Sequence, residues 1–521
     1  MWHEPLYRGS KIAMLRRIAN GVESANPLLI AFAVSALQCL VFFSVACLRL
    51  VDGDEGYYLL ASKLVLEGQS LYNDFVYSQM PLLPYVYGCW MKIFGVSWLS
   101  ARLLSALFAV LLGSMLYLHI VHLFGKRIMG LLAVFLYTFC GLTFGSFTIA
   151  RTYSLSTLLL FGSYIMLCQR AESFRTYRYL LSGLLFGLAV DTRLFFMGAT
   201  PAFIIGIFQF EKEAKRRFAS LAWFLFGIGI ALLPNLFFIL ANPENYLFNN
   251  IGYHSIRTAY GLIGAFKQKI YTAFQLFGGS SSFQYLILFL LNIDYFISNL
   301  KRQQSISFFI AMLLFITCFL STPTYVQYFS ITIPFMIINS IYSIDALHTQ
   351  SAFKNERTLR KKLGRLLVII LIAYILISLV DFYRYISWGK DVPCVDNHEN
   401  AINWKIHTVN QIASEIDKHA NQNESVMSWW PGYFIESRAS VFPKMETHFA
   451  SDVSAKLDKS QLEKYRIISH EEIVDHLRKH TTRLVVLGNL ADKSLYRDVL
   501  LRSGYVLITK IGEAEIYKWQ D

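Results

Sequence analysis

Apolar residues fall into eleven blocks, at 27–50, 101–123, 129–145, 153–168, 179–190, 194–210, 219–241, 282–299, 306–321, 325–345 and 366–386. Most approach the roughly 20 residues that an α-helix needs to cross about 30 Å of hydrocarbon. The fifth and sixth are short and are joined only by Asp191-Thr-Arg193. The pattern predicts a polytopic α-helical membrane protein with about 11 transmembrane helices. Residues 1–26 precede the first block, the membrane domain spans 27–386, and a tail of different character occupies 387–521.

The stretch 51–100 is patterned too finely for a plain linker. Tyr57 to Glu67 has the spacing of a short amphipathic helix, and Gly68 is a suitable C-terminal stop. Ser78-Gln-Met-Pro-Leu-Leu-Pro84 breaks the chain. Tyr85 to Phe94 is again amphipathic and aromatic, as expected of a helix lying in the membrane interface. In the tail, helical periodicity covers Asn397 to Ala420 and Glu471 to His480. Ser425 to Trp429 and Arg483 to Leu487 are β-rich, and Tyr505 to Ile511 with Glu515 to Trp519 predict a hairpin turning near Gly512. A small C-terminal α/β domain is the expectation.

Charge then orients the chain. The net charge of +13 invites a nucleic-acid reading, but its distribution argues against one. Residues 387–521 hold 17 Lys and Arg against 19 Asp and Glu, a net of −2, so the excess lies in short loops between apolar blocks. With the N-terminus placed in the cytoplasm, the segments 1–26, 124–128, 169–178, 211–218, 300–305 and 346–365 carry 21 Lys and Arg, including Lys215-Arg-Arg217 and Arg360-Lys-Lys362. The opposite loops carry 7. Positive charge marks the cytoplasmic side. An odd number of spans then puts the loops 51–100 and 242–281, and the α/β tail, outside the cytoplasm.

Composition agrees: 55% of residues are hydrophobic and 16% charged, against roughly 25% charged in soluble domains. Six of seven cysteines lie in or near apolar blocks and read as small hydrophobic fillers. No spacing suggests zinc or a disulfide framework. The first block is too long for a cleavable signal and lacks a small-residue cleavage site, so it is expected to stay as an anchor.

The candidate chemistry sits directly after that block, in Asp52-Gly-Asp-Glu-Gly-Tyr-Tyr58. Three carboxylates at the mouth of a membrane segment need water, a metal, a substrate or a cation to meet them. Their other reading is helix capping, since acids at a helix N-terminus accept backbone N–H bonds and meet a favourable dipole.

The order Asp54-Glu55, Tyr57-Tyr58, Ala61, Gly68, Tyr72, Asp74-Phe75, Pro81 and Tyr85, then Phe94-Gly95 and Arg102-Leu103, resembles the first outer loop of membrane glycosyltransferases of the GT-C fold. The likeness is to the branch holding protein O-mannosyltransferases and lipid A aminoarabinose transferases. Gly187-Leu-Ala-Val-Asp-Thr-Arg193 and Tyr325-Val-Gln-Tyr-Phe…Pro334 are similar to later segments of that family. The resemblance covers roughly residues 27–345.

The resemblance implies transfer of a sugar from a polyprenyl phosphate to a glycan, lipid or protein acceptor on the extracytoplasmic face, with inversion; the short loops and small tail favour a bacterial inner membrane. It maps the family's acid onto Asp54, with Asp52 and Glu55 as further catalytic candidates and Tyr57 and Tyr58 as substrate-binding ones. A positioned carboxylate that takes the acceptor's proton is worth about 10²–10⁴-fold. The departing phosphate needs cations, and arginine binds it in a bidentate manner. Arg151, Arg193, Arg257 and Lys267, with Lys269, are the candidates on that face. Arg193 has a second reading, a salt bridge to Asp191. Tyr325, Gln327 and Tyr328 could hydrogen-bond glycan or phosphate, or pack in the interface. His254 reads as an ordinary loop histidine. Many relatives carry an acid beside the arginine after the third span; here Arg151 is followed by Thr152 and Tyr153, which leaves the 52–55 cluster to supply the base. No metal cofactor is required on this reading, although three close carboxylates could hold a divalent ion. The alternative is a transporter of lipid-linked sugars, which predicts inverted repeats with broken helices meeting at midplane; no such two-fold similarity is visible in the sequence.

Overall fold

The computed structural model describes residues 20–169, 175–257, 261–278, 282–299, 306–353, 357–389, 392, 394–395, 399–449 and 451–520. Most of the segment 1–26 and the basic stretches 170–174 and 300–305 lie outside the described residues.

Each apolar block falls on helix, and local signals explain the ends. Asn26 caps Pro27–Leu48 by accepting a bond from the Leu28 N–H, and Pro27, which has no N–H to leave unpaired, takes the first helical turn. Ser97 does the same for Trp98–Phe124, which stops at Gly125 in the left-handed region. Among the described residues, four helices are long and apolar enough to cross a membrane: Pro27–Leu48, Trp98–Phe124, Val326–Leu347 and Gly364–Trp388. The number rises to seven if the bent pairs Arg127–Thr138 with Gly141–Phe147, Ala214–Leu232 with Asn235–Ala241, and Ile263–Gly278 with Phe283–Ser298 each count as one span. Three apolar helices are shorter, Thr152–Cys168, Leu194–Phe210 and Ile306–Leu320. The figure of eleven therefore rests on the sequence. The protein is an integral membrane protein of several apolar helices.

Burial sorts these helices. In the 18-residue apolar stretch of each, 61% of the residues of Trp98–Phe124 and 72% of those of Val326–Leu347 are buried, against only 22% in Pro27–Leu48 and 17% in Gly364–Trp388. The outer pair shows Leu29, Phe32, Leu40, Ile369, Leu376 and Leu379 at the surface, which only a lipid environment makes inexpensive. Broken helices need partners for the backbone groups they free. At the 65° bend between Arg127–Thr138 and Gly141–Phe147, Gln284 accepts from the Gly141 N–H at 2.7 Å and donates to the Phe139 carbonyl at 2.8 Å. Arg175–Thr192 and Ala214–Leu232 pack through Gly183 and Gly227, where an added Cβ would collide with the backbone of Phe224 and Leu180; small residues of this kind let membrane helices approach closely.

The stretch 242–281, predicted as a loop, is mostly helical: Pro243–Leu247, a π-turn at Phe248–Gly252, Tyr253–Ile256 and Gly261–Gly278. The first-loop helix runs from Glu55 to Leu66 and ends ahead of Gly68 at φ +92°. It is not amphipathic in place. Glu55 through Ser62 are all buried, because residues from the tail cover the side that the spacing left to solvent.

Among the described residues, the tail carries five strands: β1 Ser425–Ser428, β2 Ser440–Val441, β3 Leu484–Leu487, β4 Tyr505–Ile511 and β5 Ala514–Trp519. Their order is β2-β1-β3-β5-β4. β1 pairs in parallel with β2 and β3, and β5 lies antiparallel between β3 and β4. β3 is buried along its whole length, as a central strand must be. The tail grips the first loop. Trp430 donates its indole N–H to the Gly53 carbonyl at 2.8 Å and stacks on Trp98 at 5.9 Å. The Val51 N–H bonds the Trp404 carbonyl, and the Trp98 N–H bonds Glu436. Gly56 lies against Gly432, where a Cβ would come within 2.7 Å of the facing Cα.

Candidate active site

The start of the Glu55–Leu66 helix fixes three carboxylates in three different settings. Asp54 is the residue before the helix, yet its side chain makes no cap hydrogen bond. The capping reading therefore fails for it. Asp54 Oδ2 instead accepts from Arg151 Nη2 at 2.6 Å, and Oδ1 lies 3.5 Å from His448 Nε2. Its side chain keeps 18% of its exposure; those of Asp52 and Glu55 keep 1% and none.

Asp52 takes both its oxygens to Arg151 Nη1, at 2.9 and 3.0 Å, has Arg49 at 3.8 Å, and accepts from the Asp54 N–H. It ties the turn that presents Asp54. Glu55 is filled more completely. Arg102 donates Nε and Nη2 to its two oxygens at 2.8 and 2.6 Å, the Ala150 N–H adds a bond at 3.0 Å, and the Asp52 N–H one at 3.4 Å. A carboxylate has about four acceptor positions, and these four bonds fill those of Glu55, the arrangement of a structural clamp. Arg102 also donates to the carbonyls of Ala46, Arg49 and Leu50, the orphan carbonyls at the end of the first helix.

Around Arg151 the cations and rings alternate. Arg151 lies 5.1 Å from the Tyr153 ring and 5.9 Å from that of Tyr58. Arg193 sits 5.2 Å from Tyr153 and 4.5 Å from Tyr328, and donates to Thr152 Oγ1 at 3.2 Å. Arg257 lies beside Tyr328 and Tyr325. The expected Asp191–Arg193 bridge is absent from this arrangement: Asp191 accepts from Asn235 at 2.7 Å, and Arg193 turns to the aromatic side. Burial would raise the Asp54 carboxyl, but Arg151, then His448, oppose it and hold it at about 2. Burial alone would lower Arg151, and Asp52 with Tyr153 and Asp54 raise it well above its ordinary value.

Of the predicted site residues, Asp54, Asp52, Arg151, Arg193, Arg257, Tyr58 and Tyr328 gather in one region. Tyr325 is partly exposed at its edge next to Tyr328, and Gln327 lies between them with its carbonyl on Ser330 Oγ. Tyr57 is buried, stacks on Tyr77 at 5.3 Å and accepts from the Ser78 N–H at 2.7 Å, so it packs the loop. Lys267 is exposed on Gly261–Gly278, and Lys269 bonds the carbonyl of Ser321 at 2.8 Å, near the end of Ile306–Leu320. His254 bonds the Ser78 carbonyl at 2.9 Å; burial, with Arg257 beside it, lowers its pKa to about 4, and it is a structural histidine. Sequence reasoning missed His448. It lies about 390 residues downstream of Asp54 in a stretch without a motif, and no local signal connects the two. Among the described residues, no group of three His, Cys, Asp or Glu side chains is arranged to hold a metal ion.

This is the fold of GT-C membrane glycosyltransferases. ArnT from Cupriavidus metallidurans bound to undecaprenyl phosphate superposes with a TM-score of 0.68 over 95% of this chain and 98% of that one, at 11% identity. The same enzyme in the apo state gives 0.68 over 93% and 97%, at 13% identity. The arabinofuranosyltransferase AftD from Mycobacteria gives 0.55 over 96% of this chain and 40% of that one, at 13% identity. Residues 78–239 match the family described as dolichyl-phosphate-mannose-protein mannosyltransferase. No curated protein sequence matches the chain.

Proposed function

We propose that the protein is a membrane glycosyltransferase that moves a sugar from a polyprenyl-phosphate donor to an acceptor on the extracytoplasmic side, with Asp54 as general base. The observation that carries the reading is the contrast within the cluster: Asp54 alone of the three carboxylates keeps appreciable exposure, 18%, and it does so on an arginine that can also serve a phosphate. The family match at 78–239, the fold, and the undecaprenyl phosphate held by the ArnT structure support the class of reaction and donor. The charge bias of the loops supports the side, and the short loops and small tail support a bacterial inner membrane.

The step is a single displacement. The acceptor hydroxyl gives its proton to Asp54 as its oxygen bonds the anomeric carbon. The bond from that carbon to the phosphate oxygen breaks on the opposite face, and polyprenyl phosphate leaves with the electron pair, so the anomeric centre inverts. Arg151, Arg193 and Arg257 meet the charge of the leaving group. At a pKa of about 2 Asp54 is always ionised but is a weak base. A phosphate that draws the Arg151 guanidinium toward itself removes the main group that depresses Asp54, so donor binding strengthens the base where the acceptor must lose its proton.

The test is Asp54→Asn in the full-length protein, assayed for transfer from polyprenyl-phosphate sugars in native membranes. Transfer is expected to fall by about 10²–10⁴-fold with yield and membrane insertion kept. Transfer at the unsubstituted rate would sink the proposal.

A further inference from the structure

Tyr58 stands one helical turn beyond Asp54. Its N–H reaches the Asp54 carbonyl at 3.5 Å, and residues four apart share a face of a helix. The tyrosines around it have their hydroxyls spent or sealed. Tyr57 accepts from the Ser78 N–H at 2.7 Å, and Tyr72 donates to the Gln79 carbonyl at 2.7 Å. The hydroxyls of Tyr77 and Tyr153 are buried with almost no accessible surface. Tyr58 differs from all four. Among the described residues no hydrogen-bond partner reaches its hydroxyl, and that atom is not sealed, although the residue as a whole is only 4% exposed.

The groups around that hydroxyl define what it can bind. The charges that act on it are Arg151, Arg193 and Asp54. The Arg151 guanidinium lies 5.9 Å from the Tyr58 ring. Arg193 is held by the rings of Tyr153, Phe195 and Tyr328, at 5.2, 4.7 and 4.5 Å. Among the described residues it has no carboxylate partner, and it spends one hydrogen bond, on Thr152. Arginine has no acceptor atom, so neither cation can take the Tyr58 hydrogen. The Asp54 oxygens already face Arg151 and His448. Burial, the largest influence, raises the phenol above its usual 10 against the pull of Arg151 and Arg193, so Tyr58 keeps its proton. Donors thus converge with no acceptor left among them, an arrangement that an anion with several oxygens completes. The edges of Tyr57 at 5.0 Å and Tyr77 at 6.5 Å hold the Tyr58 ring, so the donor is aimed before any ligand arrives.

We propose that Tyr58 is a catalytic residue that donates a hydrogen bond to the phosphate oxygen leaving the anomeric carbon. The assignment rests on the transferase reading and adds the group that meets the leaving atom. As the carbon–oxygen bond breaks, its electron pair stays on that oxygen, and a hydrogen bond already aimed there strengthens with the charge. The proton stays on Tyr58. The proton that moves is the acceptor's, which goes to Asp54. An acceptor hydroxyl is a poorer partner for Tyr58, because it would leave the spare donors of Arg193 with no anion to meet. The Glu55–Leu66 helix thus presents the base at its start and the leaving-group donor one turn later.

The probe is undecaprenyl phosphate, a leaving group of the proposed class, titrated into the full chain in nanodiscs and followed by phosphorus NMR. Undecaprenol, which lacks the phosphate, is the comparison. The unsubstituted protein is expected to bind undecaprenyl phosphate. Tyr58→Phe keeps the ring and should weaken that binding roughly ten- to hundredfold. It should also move the phosphorus shift of the bound phosphate, with undecaprenol binding and the melting temperature of the free protein unchanged. A meta-fluorotyrosine in place of Tyr58, a stronger donor, should bind the phosphate at least as tightly as the original. Tyr77→Phe removes a sealed hydroxyl and should change neither binding nor shift. The proposal is overturned if Tyr58→Phe holds the phosphate as tightly as the unsubstituted protein, if undecaprenol loses as much affinity as the phosphate, or if Tyr77→Phe does the same damage. Each of those results leaves the transferase reading standing, to be decided by Asp54→Asn. Failure of the unsubstituted protein to bind undecaprenyl phosphate overturns the donor class and this proposal together.

Discussion

Asp54 and Glu55 are neighbours in sequence and are both buried against arginine, yet the two ion pairs are built for opposite ends. Arg102 meets Glu55 edge to edge, and the Ala150 and Asp52 N–H groups fill the remaining acceptor positions. Nothing there can be exchanged without leaving a charge stranded. Arg151 is divided between Asp52 and Asp54, and Asp54 keeps an open side. A guanidinium with two clients can be drawn toward a third. The comparison separates a pair that holds backbone in place from a pair that can respond to a ligand, and it does so by counting acceptors rather than by residue type.

The largest effect that can test this contrast falls on the closed pair. Arg102→Met is expected to destabilise the protein by about 3–5 kcal/mol, the usual outcome when one partner of a buried pair is removed. The loss includes the carbonyls at the end of the first helix that Arg102 serves. Thermal unfolding in detergent, with folded yield, measures it. Replacing both partners, Glu55→Gln with Arg102→Met, should recover part of the loss because no unpaired charge remains. If Arg102→Met unfolds at the same temperature as the unsubstituted protein, the closed pair is not structural and the contrast disappears.

Much of this arrangement was legible in the sequence, and the unreadable parts have physical causes. Hydrophobic block length located the helices, and the Gly68 and Gly125 stops needed only local backbone chemistry. The acidic cluster stood out because charge at a membrane mouth is costly. Its division into an open carboxylate, a turn-holder and a clamp was hidden, since Arg102 and Arg151 approach from distant helices. The Glu55–Leu66 helix looked amphipathic because periodicity reports which faces are apolar and not what covers the others; Trp430, Gly432 and Phe434 cover them from the tail. The two-residue β2 is too short for any strand signal. The Lys493–Arg502 helix was missed although Asp492 caps it by accepting from the Leu495 N–H.

The next effect belongs to the open pair. With Arg151 in place, Asp54 titrates near 2. A depressed carboxyl contributes stability that is present above its unfolded value of 3.8 and is lost as pH falls through about 2. Its ionisation therefore imposes no acid limb on activity in the usual range. Arg151→Met removes the main group that opposes burial, so the Asp54 pKa must rise past its ordinary value of 3.8. The residual transfer rate should then fall on the acid side between roughly pH 6 and 4, where the unsubstituted enzyme stays flat. A pH profile of both proteins measures this. An identical profile would mean that Arg151 does not set the state of Asp54.

The smallest effect comes from the tail. His448 Nε2 is 3.5 Å from Asp54 Oδ1, long for a hydrogen bond, and the ring is fixed by Phe449 at 4.0 Å and by the edge of Tyr57 at 6.5 Å. It adds to the stabilisation of the ionised carboxylate, but Arg151 dominates at 2.6 Å. His448→Gln keeps a donor near the same place, and His448→Ala removes it. If the histidine positions Asp54 electrostatically, Ala should lower kcat by roughly tenfold, about 1.4 kcal/mol, and Gln by less, with the donor KM nearly unchanged in both. If it only fills space between Tyr57 and Phe449, Gln and Ala should both lower the melting temperature and leave kcat alone. The split between kcat and melting temperature thus decides whether the tail completes the open pair or merely packs beside it.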